Sequence, residues 1–177
     1  MTKRLALPIL AAIALAIAVA VPAFAGVLNY RSHLSFGNEA FSLPIPSLAQ
    51  GQATFKLDDD GTALTYRLNA ANIDNVFMAH IHMGAEGANG PIVVWLYPSP
   101  KATAGQPIPG RFDGVLATGT ITAADLRGPL AGHPLSDLVA AMQSGNAYVN
   151  VHTNDFVAPA NTGPGDYPGG EIRGQIH

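Results

Sequence analysis

Two histidines one residue apart, His80 and His82, and a third at His152 are the residues of this chain whose type and spacing could do chemistry. In an extended strand, alternate side chains share a face, so the rings of a His-Ile-His run stand on one side about 7 Å apart at the backbone. From that separation both imidazoles can turn onto one ion. His152 lies in a second alternating run, Ala147 to Thr153, beside Asn150 on the same face. The chain has no cysteine, which removes thiolate sites, disulfides and thiol catalysis together. Any metal site must then use nitrogen and oxygen, and three neutral imidazoles suit divalent copper, with zinc as the alternative. Binding of that kind should weaken near pH 6.5, where an ordinary imidazole takes up a proton.

A second account of the same residues is structural. His80, His82 and His152, with Asn150, Glu171 and Arg173, can form a hydrogen-bonded network that pins strands together. Glu171 and Arg173, two apart on a strand face, suit a carboxylate–guanidinium pair or support of a histidine from behind. His33, His133 and His177 have no motif around them, although His33 follows strand alternation. No catalytic residue stands out: there is no nucleophile elbow, and the glycine-rich stretch Gly84 to Gly90 leads into a strand where phosphate binding needs a helix N-terminus.

Elements able to hold these groups follow from patterning. Lys3 and Arg4, the apolar run Leu5 to Val21 and Ala23-Phe24-Ala25 read as a secretory signal over 1–25, with the mature chain starting at Gly26 and located in the periplasm or outside the cell. No membrane span is expected after its removal. The chain carries 9 basic and 12 acidic residues, a formal −3; without Lys3 and Arg4 the balance is −5. Nucleic acid is an unsuitable partner, because phosphate binding needs clustered Lys and Arg. Residues 26–177 suffice for one domain with a core and contain no repeat or linker.

Val27 to Ser35, Gln52 to Leu57, Thr62 to Ala70, Val76 to His82, Ile92 to Tyr97, Val115 to Ile121, Ala147 to Thr153 and Gly170 to Ile176 read as strands. Asp58-Asp59-Asp60-Gly61 makes the second and third a hairpin. In the fourth, Phe77, Ala79 and Ile81 are placed on one face and Val76, Met78, His80 and His82 on the other. Thr122 caps a single turn, and Ser136 caps one short crossover helix that Gly145 ends. The expected fold is all-β, an antiparallel Greek-key β-sandwich of immunoglobulin-like or superoxide dismutase-like form. Asp155 to Gly169 is a long loop expected to fold over the face carrying His152.

The segments HIHMGAEGANGPIVVWL, GNAYVNVHT and YPGGEIRGQI, in that order, resemble the CHRD (chordin) domain in its bacterial secreted form. The resemblance, from about Val27 onward, implies an extracellular β-sandwich module; taken with the histidines, the leading expectation is a binding module that is not an enzyme. A weaker similarity is to the copper-zinc superoxide dismutase sandwich, whose His-x-His strand and later strand histidine look like His80, His82 and His152. That similarity implies copper and, as an alternative function, a copper-dependent redox protein. The cysteine pair, the zinc-loop histidines and a substrate-guiding arginine have no counterpart here. A third alternative is a structural module of the envelope or matrix. The partner expected from these readings is a metal ion or small ligand; the sequence names no protein partner.

Overall fold

A computed structural model describes residues 28–177 of the chain; the segment 1–25, read from sequence as a secretory signal, lies outside the described residues. Alternation drives the assembly. The strand β1 (Asn29–Ser35) alternates exposed and buried residues along its length, and β2 (Gln50–Leu57) does so from Ala53 onward. Each therefore lays one apolar row on the core, with Leu34, Ala53, Phe55 and Leu57 almost wholly buried. Burying an aliphatic or aromatic side chain of this size stabilises by about 1.5–3 kcal/mol.

The longest strand, β3 (Leu64–Met83), runs through the two segments that the sequence separates. Its first half pairs with β2 and with β5 (Ile108–Ile121), and its second half with β4 (Ile92–Tyr97) and β6 (Ala147–Thr153). The last strand, β7 (Ile172–Gln175), lies between β6 and β1. All of these pairings are antiparallel, and the path β2-β1-β7-β6-β3 returns to β2, so the sheet closes on itself in a barrel-like ring. The all-β antiparallel expectation holds in this form. The join within β3 is possible because Asn72 and Asn75 take left-handed φ values of 60° and 52°, a conformation asparagine tolerates better than most residues.

The helix α1 (Leu135–Gln143) packs Leu135, Leu138, Val139 and Met142 inward and ends where Gly145 takes a φ of 68°. Ser136 does not cap it. Pro134 holds the N-cap position without a side-chain bond, which places Ser136 inside the first turn. Thr122 does close the expected turn: its backbone N–H and its hydroxyl both donate to the Asp125 carboxylate at 2.9 Å. The aspartate turn also forms as expected, with the Asp58 carboxylate accepting from the backbone N–H groups of Thr62 and Ala63. No described helix is long and apolar enough to cross a membrane.

Candidate metal centre

Pairing of β3 with β6 sets the site. Met78 lies opposite His152, His80 opposite Asn150 and His82 opposite Tyr148, and antiparallel partners point to the same face. His80, His82 and His152 therefore converge, with one ring nitrogen from each lying within 4.8 Å of the other two. All three are buried, His82 the least so at 9% exposure. Three lone pairs so disposed can hold one metal ion.

The rings are oriented by carbonyl groups from two loops. His82 Nδ1 lies 2.9 Å from the Gly90 carbonyl and His152 Nδ1 lies 3.0 Å from the Pro168 carbonyl. A carbonyl only accepts, so both Nδ1 atoms carry the proton and both Nε2 atoms a lone pair. His80 Nδ1 donates to His152 Nε2 across 3.2 Å. Its own Nε2, like that of His82, is buried without a partner. Two orphaned buried nitrogens on neighbouring rings are unusual for a network that serves structure alone, because an unmet buried polar group costs about 1–3 kcal/mol.

Electrostatics keep the rings neutral. Burial pushes His80 down to about 2, and the neighbouring His152 and His82 rings add to the shift. Burial lowers His152 to about 3, with His82 contributing and the Pro168 carbonyl opposing. His82 is lowered by burial and by the Arg173 charge against the opposing Gly90 carbonyl. Neutral imidazole is the form that ligates a metal.

Aromatic groups that the histidine pattern does not announce wall the site. Trp95, opposite His80 in the β3–β4 register, meets its ring edge-to-face with centroids 4.3 Å apart. Tyr148 stacks on His82 at 4.9 Å, and the Arg173 guanidinium covers the other face of that tyrosine. Phe77 packs edge-on against His152 and Phe156. This corrects the face assignment made from alternation. A register shift between Val76 and Met78 sends Val76 into the core and Phe77 to the histidine side.

Asn150, Glu171 and Arg173 do not form the single network expected of them. Asn150 donates to Glu39 at 2.7 Å and to the Ile172 carbonyl at 3.2 Å; Gly170 admits it, since a Cβ there would lie 2.3 Å from Asn150 Oδ1. Glu171 is fully buried and accepts from Ser47, from Thr153 at 2.6 Å and from the Gly165 backbone at 2.8 Å. It makes no ion pair with Arg173. Arg173 instead donates to the carbonyls of Ala85 and Ala88, each at 2.9 Å, and to Asn89. It thereby holds the Gly84–Gly90 turn whose last carbonyl orients His82. Gly90 fits there because a Cβ would collide with the Met83 carbonyl at 1.5 Å.

The loop after β6 is anchored along its second half. Tyr167 is buried, its N–H donates to Thr153 Oγ1, and Pro168 supplies the carbonyl for His152. His33, His133 and His177 lie outside the cluster; His133 pairs with Asp137 at 2.8 Å on the surface.

The CHRD domain family model matches residues 30–176. The chain therefore belongs to the CHRD-domain family, and in this chain the β module carries a buried three-histidine cluster. Comparison with curated proteins and with solved structures gives no match.

Proposed function

We propose that this chain is an exported CHRD module, mature from Gly26 and resident in the periplasm or outside the cell, that binds one divalent copper ion through His80, His82 and His152 without turning over a substrate. The observation that carries the reading is the pair of buried, unpartnered nitrogens, His80 Nε2 and His82 Nε2, beside the lone pair of His152. An all-nitrogen donor set favours copper over zinc by the general order of divalent affinities. Binding competes with the His80–His152 hydrogen bond and gives the orphaned atoms a partner. The aromatic wall of Trp95, Tyr148 and Phe77 excludes water from the ligands, which strengthens their interaction with a cation.

The His80–His152 bond itself favours the structural reading, in which the rings hold β3 to β6 and no ion enters. Metal analysis of protein purified from periplasm and medium, followed by copper and zinc titration, separates the two. Stoichiometric copper with submicromolar affinity supports the proposal; absence of saturable binding overturns it. Superoxide turnover by the copper-loaded protein would replace the non-enzymatic reading with that of a redox enzyme.

A further inference from the structure

Elsewhere on the sheet, the outward residues of β1, of β2 and of the stretch of β3 paired with β2 include no acidic side chain. Strand register sets them in a grid: Arg31, Thr54 and Arg67 lie side by side across the three strands, and His33, Gln52 and Asn69 form the next row. A cleft of about 480 Å³ is lined by His33, Gln50, Gln52, Arg67 and Asn69. A second cleft of about 420 Å³ adjoins it, sharing His33 and Gln52 and adding Arg31, Arg173 and one acidic side chain, Glu86. Among the described residues neither Arg31 nor Arg67 pairs with a carboxylate. Both are exposed, in a chain whose formal charge is −3.

We infer that this face is a docking surface for a carboxylated polysaccharide that crosses the strands from Arg31 over Thr54 to Arg67. Two guanidinium groups separated by two strand spacings, about 9–10 Å, suit carboxylates repeated along an extended polymer, and each can take one bidentately. The amides of Gln52 and Asn69 in the next row, and of Gln50 one row further, each offer a donor and an acceptor, which matches neighbouring sugar hydroxyls. A peptide strand is a poor fit, because β1 and β2 are paired on both sides and offer no free backbone edge. The acidic hairpin tip, with Asp59 and Asp60 exposed beyond Lys56, repels a polyanion from the strand ends. The track therefore runs across the strands. Arg31, Arg67, Gln52 and Asn69 lie outside the histidine cluster, so this inference and the copper reading stand or fall separately.

The test is calorimetric titration of the full chain with polygalacturonate and with dextran of matched length. Saturable binding of polygalacturonate is expected, weakened by salt, absent for dextran, at least tenfold weaker in the Arg31→Gln/Arg67→Gln variant and unchanged in Lys101→Gln. Backbone amide shifts of the wild type should move along β1, β2 and β3. Absence of binding, equal binding of dextran, equal binding by the double variant, or shifts confined to other strands would overturn the inference. So would binding to vesicles of anionic phospholipid in place of the soluble polymer.

Discussion

The guanidinium carbon of Arg173 lies 3.4 Å from the centre of the Tyr148 ring, and the far face of that ring is stacked on His82 at an interplanar angle of 10°. Arg173 thus grips His82 twice, through the tyrosine and through the turn that presents the Gly90 carbonyl. It is a positioning residue for the site, although it reaches no ligand nitrogen itself.

Replacing Arg173 by lysine should loosen both grips, since a single ammonium cannot bond the Ala85 and Ala88 carbonyls while lying flat on a ring. The expected loss is about 2–3 kcal/mol of stability from the unpaired carbonyls. Copper affinity should fall about tenfold, within the range found for groups that orient a metal-ligating histidine. Denaturant unfolding gives the first number and copper titration the second. Imidazole nitrogen resonances of the metal-free protein should show His82 losing its fixed Nδ1–H form; an unchanged tautomer would remove the positioning role.

Glu171 is the clamp of the loop after β6. Its oxygens collect Ser47, Thr153 and Gly165, which tie the connector before β2, the end of β6 and the loop to one buried carboxylate. Glu171→Gln turns one of those acceptors into a donor facing donors. About 2–3 kcal/mol of stability should be lost, with amide exchange faster at Gly165 and Tyr167 while the His80–His152 bond persists. Exchange that speeds up equally along β6 would instead mean that the clamp and the histidine face unfold together.

The local part of this arrangement was legible and the long-range part was not. Alternation places His80 and His82 together, and the absence of cysteine restricts the donor set, both of which are properties of neighbouring residues. The approach of His152 depends on the pairing of β3 with β6, set by residues more than sixty positions apart. Phe77 is misplaced by alternation because one register shift reverses every face beyond it. Glu171 and Arg173 are two apart in sequence, yet each is taken by a different loop, and no spacing rule foretells which backbone groups will reach a buried carboxylate or guanidinium.

Acid should unfold this protein through its histidines. An unfolded imidazole takes a proton near 6.5, whereas His80 and His152 resist until about 2 and about 3 and His82 is also lowered. The unfolded state binds more protons throughout the window from about 6.5 to about 3, so stability rises with pH there and is fully present above it. Proton competition for a metal would also begin well below the ordinary imidazole range, which revises the value expected from sequence. Glu39 has the opposite sign. Burial raises it to about 7 from 4.5 against the pull of Asn150 and Arg173, so its contribution is present below 4.5 and lost as pH climbs through 7. Glu39→Gln should stabilise by about 1–2 kcal/mol at pH 7.5, after allowance for its partial exposure, and have little effect at pH 4. Denaturant unfolding across this pH range checks both signs; a wild-type profile flat between 6.5 and 4.5 would mean that the rings accept protons inside the fold.

The single tryptophan of the chain provides a direct reading of the site. Trp95 and His80 have ring centroids 4.3 Å apart, so a paramagnetic ion ligated by His80 lies close enough to quench the indole, whereas diamagnetic zinc does not quench by that route. Copper titration should therefore reduce Trp95 emission saturably, with the break at one equivalent. Zinc should compete the quenching away without imposing its own. His80→Gln, His82→Gln and His152→Gln should each raise the copper concentration required at least tenfold, because two imidazoles on β3 lack the third that closes the site from β6. Measuring the far-ultraviolet melting curve of each variant guards against misfolding, since glutamine keeps a polar atom near the lost nitrogen. Quenching that persists unchanged in all three folded variants would place copper elsewhere on the protein and leave the cluster as a strand-to-strand tie.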